Sequence, residues 1–264
     1  MTAVIVLCGG PGTRMGAVSQ DQQKCLSRLW GLPLLHLVLA RLCPAVAGAD
    51  VPIVLLTGHH GHQVADLVGQ WRTQLDPRIQ VVAEHGPGWV GVEHAARDLR
   101  GPVLIVAGNV LLDYETLIPQ MLDEHQRGGR PVVAASEQWR TTGHYTLTAA
   151  HDTVTSWHRA ADTNGATRPG RYEVVDTYLL TDPVLALMRA RQISHTRALS
   201  SFVAGAALGF CAVPGDWLHV ETPADLIVAS NRKASLCPAL PPSSSCPVRP
   251  PSARAPSPAD SRRG

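Results

Sequence analysis

Four short runs rich in valine, isoleucine and leucine alternate with longer stretches of helical periodicity in the first half of the chain. The four runs are TAVIVLC, VPIVLLTG, IQVVAEH and GPVLIVAGN. Near-continuous apolar runs of this length are typical of strands buried on both faces of a parallel sheet. Strand–helix–strand repetition with right-handed crossovers predicts an α/β fold with a single doubly wound, mostly parallel sheet.

The second half of the chain is less regular. RPVVAAS, HYTLTAA, TVTSWHR and YEVVDTYLL have strand-like patterns, and the middle two are spaced like a hairpin. We expect them to add a mixed β edge to the parallel sheet. PADLIVASNRKA predicts a closing helix, with Thr222 as its N-cap and Pro223 at its first position.

The composition changes abruptly after Arg232. Residues 233–264 are mostly proline, serine, alanine and arginine. A segment of this kind has too little apolar surface to bury, which predicts a disordered tail. We therefore expect one folded domain over residues 1–232.

Charge and composition exclude several classes of protein. The net charge of the 264 residues is +2, and no lysine- or arginine-rich stripe is present, which argues against a nucleic-acid partner. The sequence has neither a signal peptide nor the run of about 20 apolar residues that a membrane span needs. The six cysteines lack C-x-x-C spacing, so we expect reduced core thiols. A soluble cytoplasmic protein without a membrane partner is the prediction.

A glycine-rich loop, CGGPGTRMG, follows the first predicted strand directly. In open α/β sheets, ligands bind beyond the carboxyl ends of the strands. Gly9, Gly10 and Gly12 let backbone N–H groups face an anion, and Arg14 adds a planar cation suited to phosphate. The loop therefore predicts a polyphosphate ligand, the alternative being a tight turn that binds nothing.

Two familiar phosphate-binding motifs do not match this loop. The Walker A motif requires Gly-Lys-Ser/Thr, which is absent. The dinucleotide motif G-x-G-x-x-G fails at Met15, and VPIVLLTGHH has no acid for the ribose of NAD. An α/β oxidoreductase is therefore the weakest of the hypotheses. A third pattern, G-G-x-G-T-R-[ML], fits residue for residue from Gly9 to Met15.

GGPGTRM, then QKCL, then GLPLL form an ordered trio. This trio resembles the opening of the sugar-phosphate nucleotidyltransferase family, G-G-x-G-T-R-[ML], P-K-x-L and G-x-P-L-[IL]. The resemblance implies a nucleotide-diphospho-sugar transferase-like fold over residues 1–232. It implies that a nucleoside triphosphate is joined to a sugar phosphate or similar phosphate monoester, with release of pyrophosphate and with Mg²⁺ as cofactor. The base, the acceptor and a homo-oligomeric state are left open.

The resemblance also implies roles for single residues. Arg14 would contact the triphosphate and Lys24 would stabilise charge at the α-phosphate. Gln23 stands where the family has proline, and we expect this change to loosen the loop. The residues that would bind the rest of the nucleotide are Gly9, Gly10, Gly12 and Thr13 at the loop, with Gly91 and His94 as candidates for reading the base.

The expected Mg²⁺ site departs from the family at two positions. The family's G-D-x-x-x-D begins with a metal-binding aspartate, and this chain has Asn109 there. The second aspartate lies in W-x-E-I-D-T-x-x-D-L of a branch resembling phosphocholine cytidylyltransferases, where this chain reads WLHVETPADL. Glu221 takes the aspartate's place and His219 the glutamate's. Asn109 and Glu221 are the predicted ligands, although an amide binds a hard cation more weakly than a carboxylate.

The remaining polar residues of these motifs have simpler expected roles. Asp113 and Asp225 are expected at helix N-termini. Asp176 begins DTY where the family's acceptor side has G-x-Y, so the acceptor is not predicted. The histidines of TGHHGHQV start a helix and point several ways, so we expect no metal site there. Two hypotheses remain: an active nucleotidyltransferase, and a catalytically silent nucleotide- or sugar-binding homologue that regulates or partners an active enzyme.

Overall fold

A computed structural model describes residues 1–84, 88–137, 145–159 and 170–232. The predicted tail, residues 233–264, lies outside the described residues, and its disorder stays a prediction. The strands are β1 Ala3–Cys8, β2 Arg28–Leu29, β3 Leu32–Pro33, β4 Ile53–Thr57, β5 Ile79–Ala83, β6 Val103–Ala107, β7 Val110–Leu111, β8 Val132–Ser136, β9 Tyr145–Ala150, β10 Thr153–Arg159, β11 Arg171–Leu180, β12 Gly209–Ala212 and β13 Leu218–His219. The helices are α1 Val18–Asp21, α2 Leu34–Ala45, α3 Gly61–Gln74, α4 Gly88–Ala95, α5 Tyr114–Gly128, α6 Asp182–Arg191, α7 His195–Ser200 and α8 Pro223–Ser230.

The four predicted apolar runs form the parallel half of one sheet. The sheet order within the described residues is β5-β4-β1-β6-β11-β8-β12-β10-β9. Strand β1 pairs in parallel with β4 and β6, opposing Val4 to Ile53 and to Leu104, and β4 pairs in parallel with β5. The carboxyl ends of these four strands therefore lie at one edge, where the glycine loop begins.

The predicted mixed part of the sheet is confirmed, and it contributes five of the nine strands in the order above rather than a narrow edge. Strand β11 runs antiparallel to β6 and β8, while β8 and β12 are parallel. Strands β9 and β10 form the predicted antiparallel hairpin. Because β11 joins the parallel half to this part, Asp176 on β11 lies near the middle of the whole sheet.

Two apolar layers cover the sheet, as expected for a doubly wound fold. On β1, Val4 and Val6 pack into one layer with helices α2, α3 and α5, whereas Ile5 packs into the other with α4, α6 and α7. The alternation along a strand, with both faces apolar, explains the continuous Val/Ile/Leu runs. The four cysteines that the structure describes, Cys8, Cys25, Cys43 and Cys211, are free and buried.

Some elements differ from the sequence prediction. Helix α4 begins at Gly88, three residues before the predicted start at Gly91. Helices α6 and α7 and strand β12 were not predicted. The closing helix α8 is confirmed: Thr222 is its N-cap in a reciprocal capping box with Asp225, and Pro223 is at its first position.

Candidate functional site

The glycine loop turns sharply because Gly12 adopts a left-handed conformation, with φ 63° and ψ 29°. The N–H of Met15 donates to the Gly12 carbonyl at 2.8 Å, which closes a 3₁₀ turn over Thr13–Met15. A Cβ at position 12 would lie 3.0 Å from Cβ of Lys24. Gly12 thus serves two needs, a positive φ and the close approach of Lys24.

Gln23 holds the glycine loop in place. Gln23 is 2% exposed, and its amide nitrogen donates to the carbonyls of Cys8 and of His59 at 2.8 Å and lies 3.3 Å from the Gly10 carbonyl. Its backbone N–H donates to Oε1 of Gln63 at 2.8 Å. The expectation that glutamine in place of proline loosens the loop was wrong, because the two N–H donors of the Gln23 amide bind loop carbonyls.

Two cations from the motif residues converge on one carboxylate. Arg14 pairs with Oε2 of Glu221, and Nζ of Lys24 lies 3.2 Å from Oε1 of the same residue. The Glu221 side chain is 6% exposed and that of Lys24 17%, whereas that of Arg14 is 45% exposed. A cavity of about 230 Å³ opens here, lined by Gly10, Pro11, Gly12, Thr13, Arg14, Lys24 and Glu221. Lys24 and Glu221 are 197 residues apart in the chain, and the fold brings them to one pocket.

Glu221 is positioned by short-range pairing and by helix α8. Strand β13 pairs with β7, and Asn109 faces Val220 just beyond that pair. The N–H of Val220 donates to the Asn109 carbonyl at 3.1 Å. In return, Nδ2 of Asn109 donates to the Val220 carbonyl at 2.8 Å. The carboxylate of Asp225 accepts from the N–H of Glu221 at 3.0 Å. Asn109 therefore lies beside Val220, the residue that precedes Glu221, and the pairing of Asn109 and Glu221 as metal ligands stays a prediction.

A second group of polar residues adjoins Glu221 from the sheet. Nε2 of His219 lies 3.1 Å from Oε1 of Glu221 and 3.8 Å from Oδ2 of Asp176. The hydroxyl of Tyr178 donates to Oδ1 of Asp176 at 2.6 Å. Burial and the Asp176 charge raise the pKa of Tyr178, so this phenol stays a donor. Sequence reasoning placed Asp176 on the acceptor side but could not foresee its contact with His219.

The two residues predicted to read the base, Gly91 and His94, are not among the residues that line this cavity, and their role stays a prediction. Gly91 is buried and packs against the side chain of Glu84, not against the cavity. His94 is exposed on helix α4 and is not among the cavity-lining residues. Gly9 also approaches Glu84. Asp113 caps helix α5 by accepting from the N–H of Thr116, as predicted.

The predicted metal ligands offer one carboxylate and one amide. Because Nδ2 of Asn109 donates to Val220, the amide oxygen is the atom left for a cation. One carboxylate and one neutral oxygen fit Mg²⁺, which takes one or two protein ligands where phosphates and water supply the rest. Within the described ranges, no set of three or more His, Cys, Asp and Glu side chains is grouped as a metal site.

Among the histidines of TGHHGHQV, Nε2 of His60 lies 2.8 Å from the Gln20 carbonyl.

A family model for the MobA-like NTP transferase domain matches residues 4–206. The chain belongs to this family. The match covers the glycine loop, Lys24 and Asn109 and ends before Glu221. It does not reach the stretch that resembled phosphocholine cytidylyltransferases, so that branch stays a prediction.

Curated relatives of the chain include the bifunctional protein GlmU of two mycobacteria. The Mycobacterium tuberculosis protein is 34% identical over 128 residues, and the Mycobacterium avium protein is 32% identical over 123 residues. Each match covers 44% of this chain and 24% of the relative. The chain therefore matches about a quarter of the length of these proteins.

Solved structures support the fold over a longer span. A UDP-glucose pyrophosphorylase complexed with UDP-glucose superposes with a TM-score of 0.71 and 14% identity, covering 88% of this chain and 98% of that one. A putative glucose-1-phosphate thymidylyltransferase from Bacillus anthracis gives 0.70 and 14%, covering 88% and 95%. The nucleotide-diphospho-sugar transferase-like fold is confirmed. None of the described helices has the length and apolarity to cross a membrane.

Proposed function

We propose that this chain is a nucleotidyltransferase that joins a nucleoside triphosphate to a sugar phosphate and releases pyrophosphate. The observation that carries the proposal is the convergence of Arg14 and Lys24 on a glycine-lined pocket beyond the carboxyl end of β1. The pocket already holds an anion, the carboxylate of Glu221. Bare backbone together with two cations is the environment that a triphosphate requires.

In the proposed reaction, an oxygen of the acceptor phosphate attacks the α-phosphorus. A new P–O bond forms, the bond between the α- and β-phosphates breaks, and pyrophosphate leaves. Arg14 holds the triphosphate, and Lys24 stabilises the charge that develops at the α-phosphate. Glu221 and Asn109 would hold Mg²⁺, which when bound neutralises phosphate charge. A phosphocholine-like acceptor is a narrower alternative to a sugar phosphate.

We further propose that residues 1–232 form the catalytic unit and that it works in the cytoplasm. Family membership covers most of this span, and α8, which closes it, positions Glu221. The four free thiols of the described chain are of the kind that persists in a reducing compartment.

The second candidate is a catalytically silent nucleotide- or sugar-binding homologue. Two observations favour it: Asn109 carries no charge, and Glu221 is already paired with Arg14 and Lys24. A screen for pyrophosphate release separates the two candidates. The screen combines five triphosphates with sugar phosphates and phosphocholine, under Mg²⁺ and under Mn²⁺. Release from one sugar-phosphate combination supports the enzyme; binding of nucleotide without any release supports the silent homologue.

The first prediction concerns the two cations. Arg14→Ala and Lys24→Ala should each weaken nucleotide binding or turnover by about 2–4 kcal/mol, because each removes a charge-assisted contact with phosphate. The measurement is the shift of the thermal unfolding midpoint by nucleotide, followed by pyrophosphate release. Arg191→Ala, which removes an exposed arginine of helix α6, is the matched control and should behave as wild type. Unchanged nucleotide protection in both loop variants would show that the loop is a turn without a ligand.

A further inference from the structure

The chain that connects the glycine loop to Lys24 has little of its own to fix its position. Helix α1, in the middle of this connection, has four residues, and Val18, Gln20 and Asp21 on it are exposed. So short a helix is marginal by itself, and these residues bury little apolar surface. Polar contacts with a neighbouring element must therefore determine where the connection lies and where Lys24 begins.

The start of helix α3 supplies these contacts. Nε2 of Gln63 donates to the Asp21 carbonyl at 2.7 Å, and Oε1 of the same amide accepts from the N–H of Gln23 at 2.8 Å. Nε2 of His60 lies 2.8 Å from the Gln20 carbonyl. A side-chain amide suits this task, because it offers a donor and an acceptor on one planar group. We name His60 and Gln63 the α3 clasp.

The turn before α3 holds the α3 clasp against the end of strand β1. The N–H of His59 donates to the Gly9 carbonyl at 3.0 Å. His60 adopts a left-handed conformation, with φ 53° and ψ 28°, which bulky side chains rarely adopt. Gly61 follows, and a Cβ there would lie 2.9 Å from Oγ1 of Thr57. The α3 clasp therefore projects from a tight turn that is hydrogen-bonded to the glycine loop.

Gln23 connects the α3 clasp to the pocket. Its N–H is bound by Gln63, and its buried side-chain amide donates to the carbonyls of Cys8 and of His59 at 2.8 Å. With φ −62° and ψ 130°, Gln23 leads directly into Lys24, the first residue of a 3₁₀ turn. Helix α3 and the end of β1 thus both bind the residue that precedes the pocket cation.

The α3 clasp lies outside the pocket, whose lining residues include Lys24 but neither His60 nor Gln63. Nζ of Lys24 lies 3.2 Å from Oε1 of Glu221, and the lysine side chain is 17% exposed. A charge-assisted hydrogen bond weakens as its donor moves away from the acceptor. Any influence of Gln63 on a bound phosphate must therefore act through the position of Lys24.

We propose that Gln63 is a positioning residue of the triphosphate pocket: through Gln23, it holds Lys24 where the ammonium group can reach phosphate. The inference rests on the proposed function, because Lys24 must bind phosphate for its position to matter. A purely structural Gln63 would contribute to stability, and the phosphate affinity of the folded protein would not depend on it. Positioning requires that loss of Gln63 weakens phosphate binding and that Lys24 mediates this effect.

Titration calorimetry with inorganic tripolyphosphate tests the inference on the full-length chain at low salt, where screening is weak. Gln63→Ala removes both contacts of the amide, and Gln63→Met does so while keeping the length of the side chain. Gln70→Ala is the matched control, since Gln70 is an exposed glutamine of the same helix. We expect each Gln63 variant to bind about 10-fold more weakly than wild type, a loss typical of a small displacement of a binding group. Gln70→Ala should bind as wild type does.

A double-mutant cycle with Lys24→Ala shows whether Lys24 mediates the effect. In the absence of Lys24, Gln63→Ala should weaken tripolyphosphate binding by less than about 2-fold further, because the two positions are coupled. Amide hydrogen exchange gives a second readout that needs no ligand. The N–H of Gln23 should exchange faster in Gln63→Ala than in Gln70→Ala.

The outcomes separate this inference from the proposed function. Wild-type affinity in folded Gln63→Ala or Gln63→Met overturns the positioning role and leaves the phosphate site standing. Equal losses with and without Lys24, unchanged exchange at Gln23, or failure of both Gln63 variants to fold also overturn it. A wild-type chain that does not bind tripolyphosphate overturns both proposals. A chain that binds tripolyphosphate but releases no pyrophosphate in the substrate screen contradicts the proposed enzyme, while the affinities still decide the role of Gln63.

Discussion

At the scale of single residues, Glu221 is the side chain that supplies the negative charge in the pocket. Its carboxylate contacts Arg14, Lys24 and His219, so it lies where the phosphate charge of a nucleotide is expected. The arriving triphosphate therefore competes with Glu221 for the two cations. A cation that binds Glu221 would release Arg14 and Lys24 to the phosphates. The charge at Asn109, the other predicted ligand, then decides how strongly that cation is held.

The second prediction changes that charge. Asn109→Asp should raise the apparent Mg²⁺ affinity about 10-fold, because it adds a hard anionic ligand beside Glu221. The same change removes the Nδ2 donor to the Val220 carbonyl, which should cost about 1–3 kcal/mol in the free energy of unfolding. Pyrophosphate release against Mg²⁺ concentration measures the first effect, and urea unfolding measures the second.

Glu221→Gln is the opposing variant in the same experiment. It removes the one carboxylate of the predicted metal pair and should abolish turnover. Robust activity in Glu221→Gln would contradict the metal assignment. No turnover in wild type, Asn109→Asp and Glu221→Gln, with nucleotide still bound, would favour the silent homologue.

At the scale of elements, helix α8 is what holds Glu221 against the loop. The Asp225 carboxylate accepts from the N–H groups of Glu221 at 3.0 Å and Thr222 at 2.8 Å, and from the Thr222 hydroxyl at 2.9 Å. A residue predicted as an ordinary helix-start acid thus also orients the backbone of a site residue. Stability and function are coupled at this helix end.

The third prediction separates these two roles. Asp225→Ala should lower the free energy of unfolding by about 1–2 kcal/mol through loss of the capping box, and it should also lower turnover. Ser194→Ala removes the N-cap of α7, whose side chain accepts from the N–H of Arg197, and it does not touch Glu221. We expect a similar loss of stability in urea unfolding but normal turnover. Equal turnover in the two variants would show that the cap does not position Glu221.

How much the sequence predicts depends on whether the signal is local. The first four strands were predicted because burial on both faces leaves an uninterrupted apolar run. Strands β7 and β13 have two residues each and exist because they pair with one another, which no local pattern shows. Likewise, the motifs predicted Arg14, Lys24 and Asn109. The approach of His219 to Asp176 was not predicted, because it joins segments that meet only in the fold.

At the scale of the whole molecule, the layer formed by α4, α6 and α7 contains an ionisable group that the chemistry does not use. The ring of His195, the first residue of α7, lies 5.0 Å from the ring of Tyr178, centroid to centroid. Removal from water lowers the pKa of His195 to about 4, against a smaller opposing effect of the Asp176 charge. His195 is therefore neutral in the folded protein at neutral pH.

The pKa of His195 predicts an acid-sensitive fold. Between about pH 6.5 and pH 4 the unfolded chain binds a proton at this residue that the folded protein does not bind. Stability should therefore fall as the pH falls through this window and stop changing below it. Because the residue as a whole is half-buried, we expect a loss of about 1–2 kcal/mol between pH 7 and pH 5 from this group. Urea unfolding at the two pH values measures this loss of stability.

His195→Asn should lose less stability between pH 7 and pH 5 than wild type, whereas His158→Asn, at an exposed position, should match wild type. Equal pH dependence in His195→Asn and wild type would contradict the assignment.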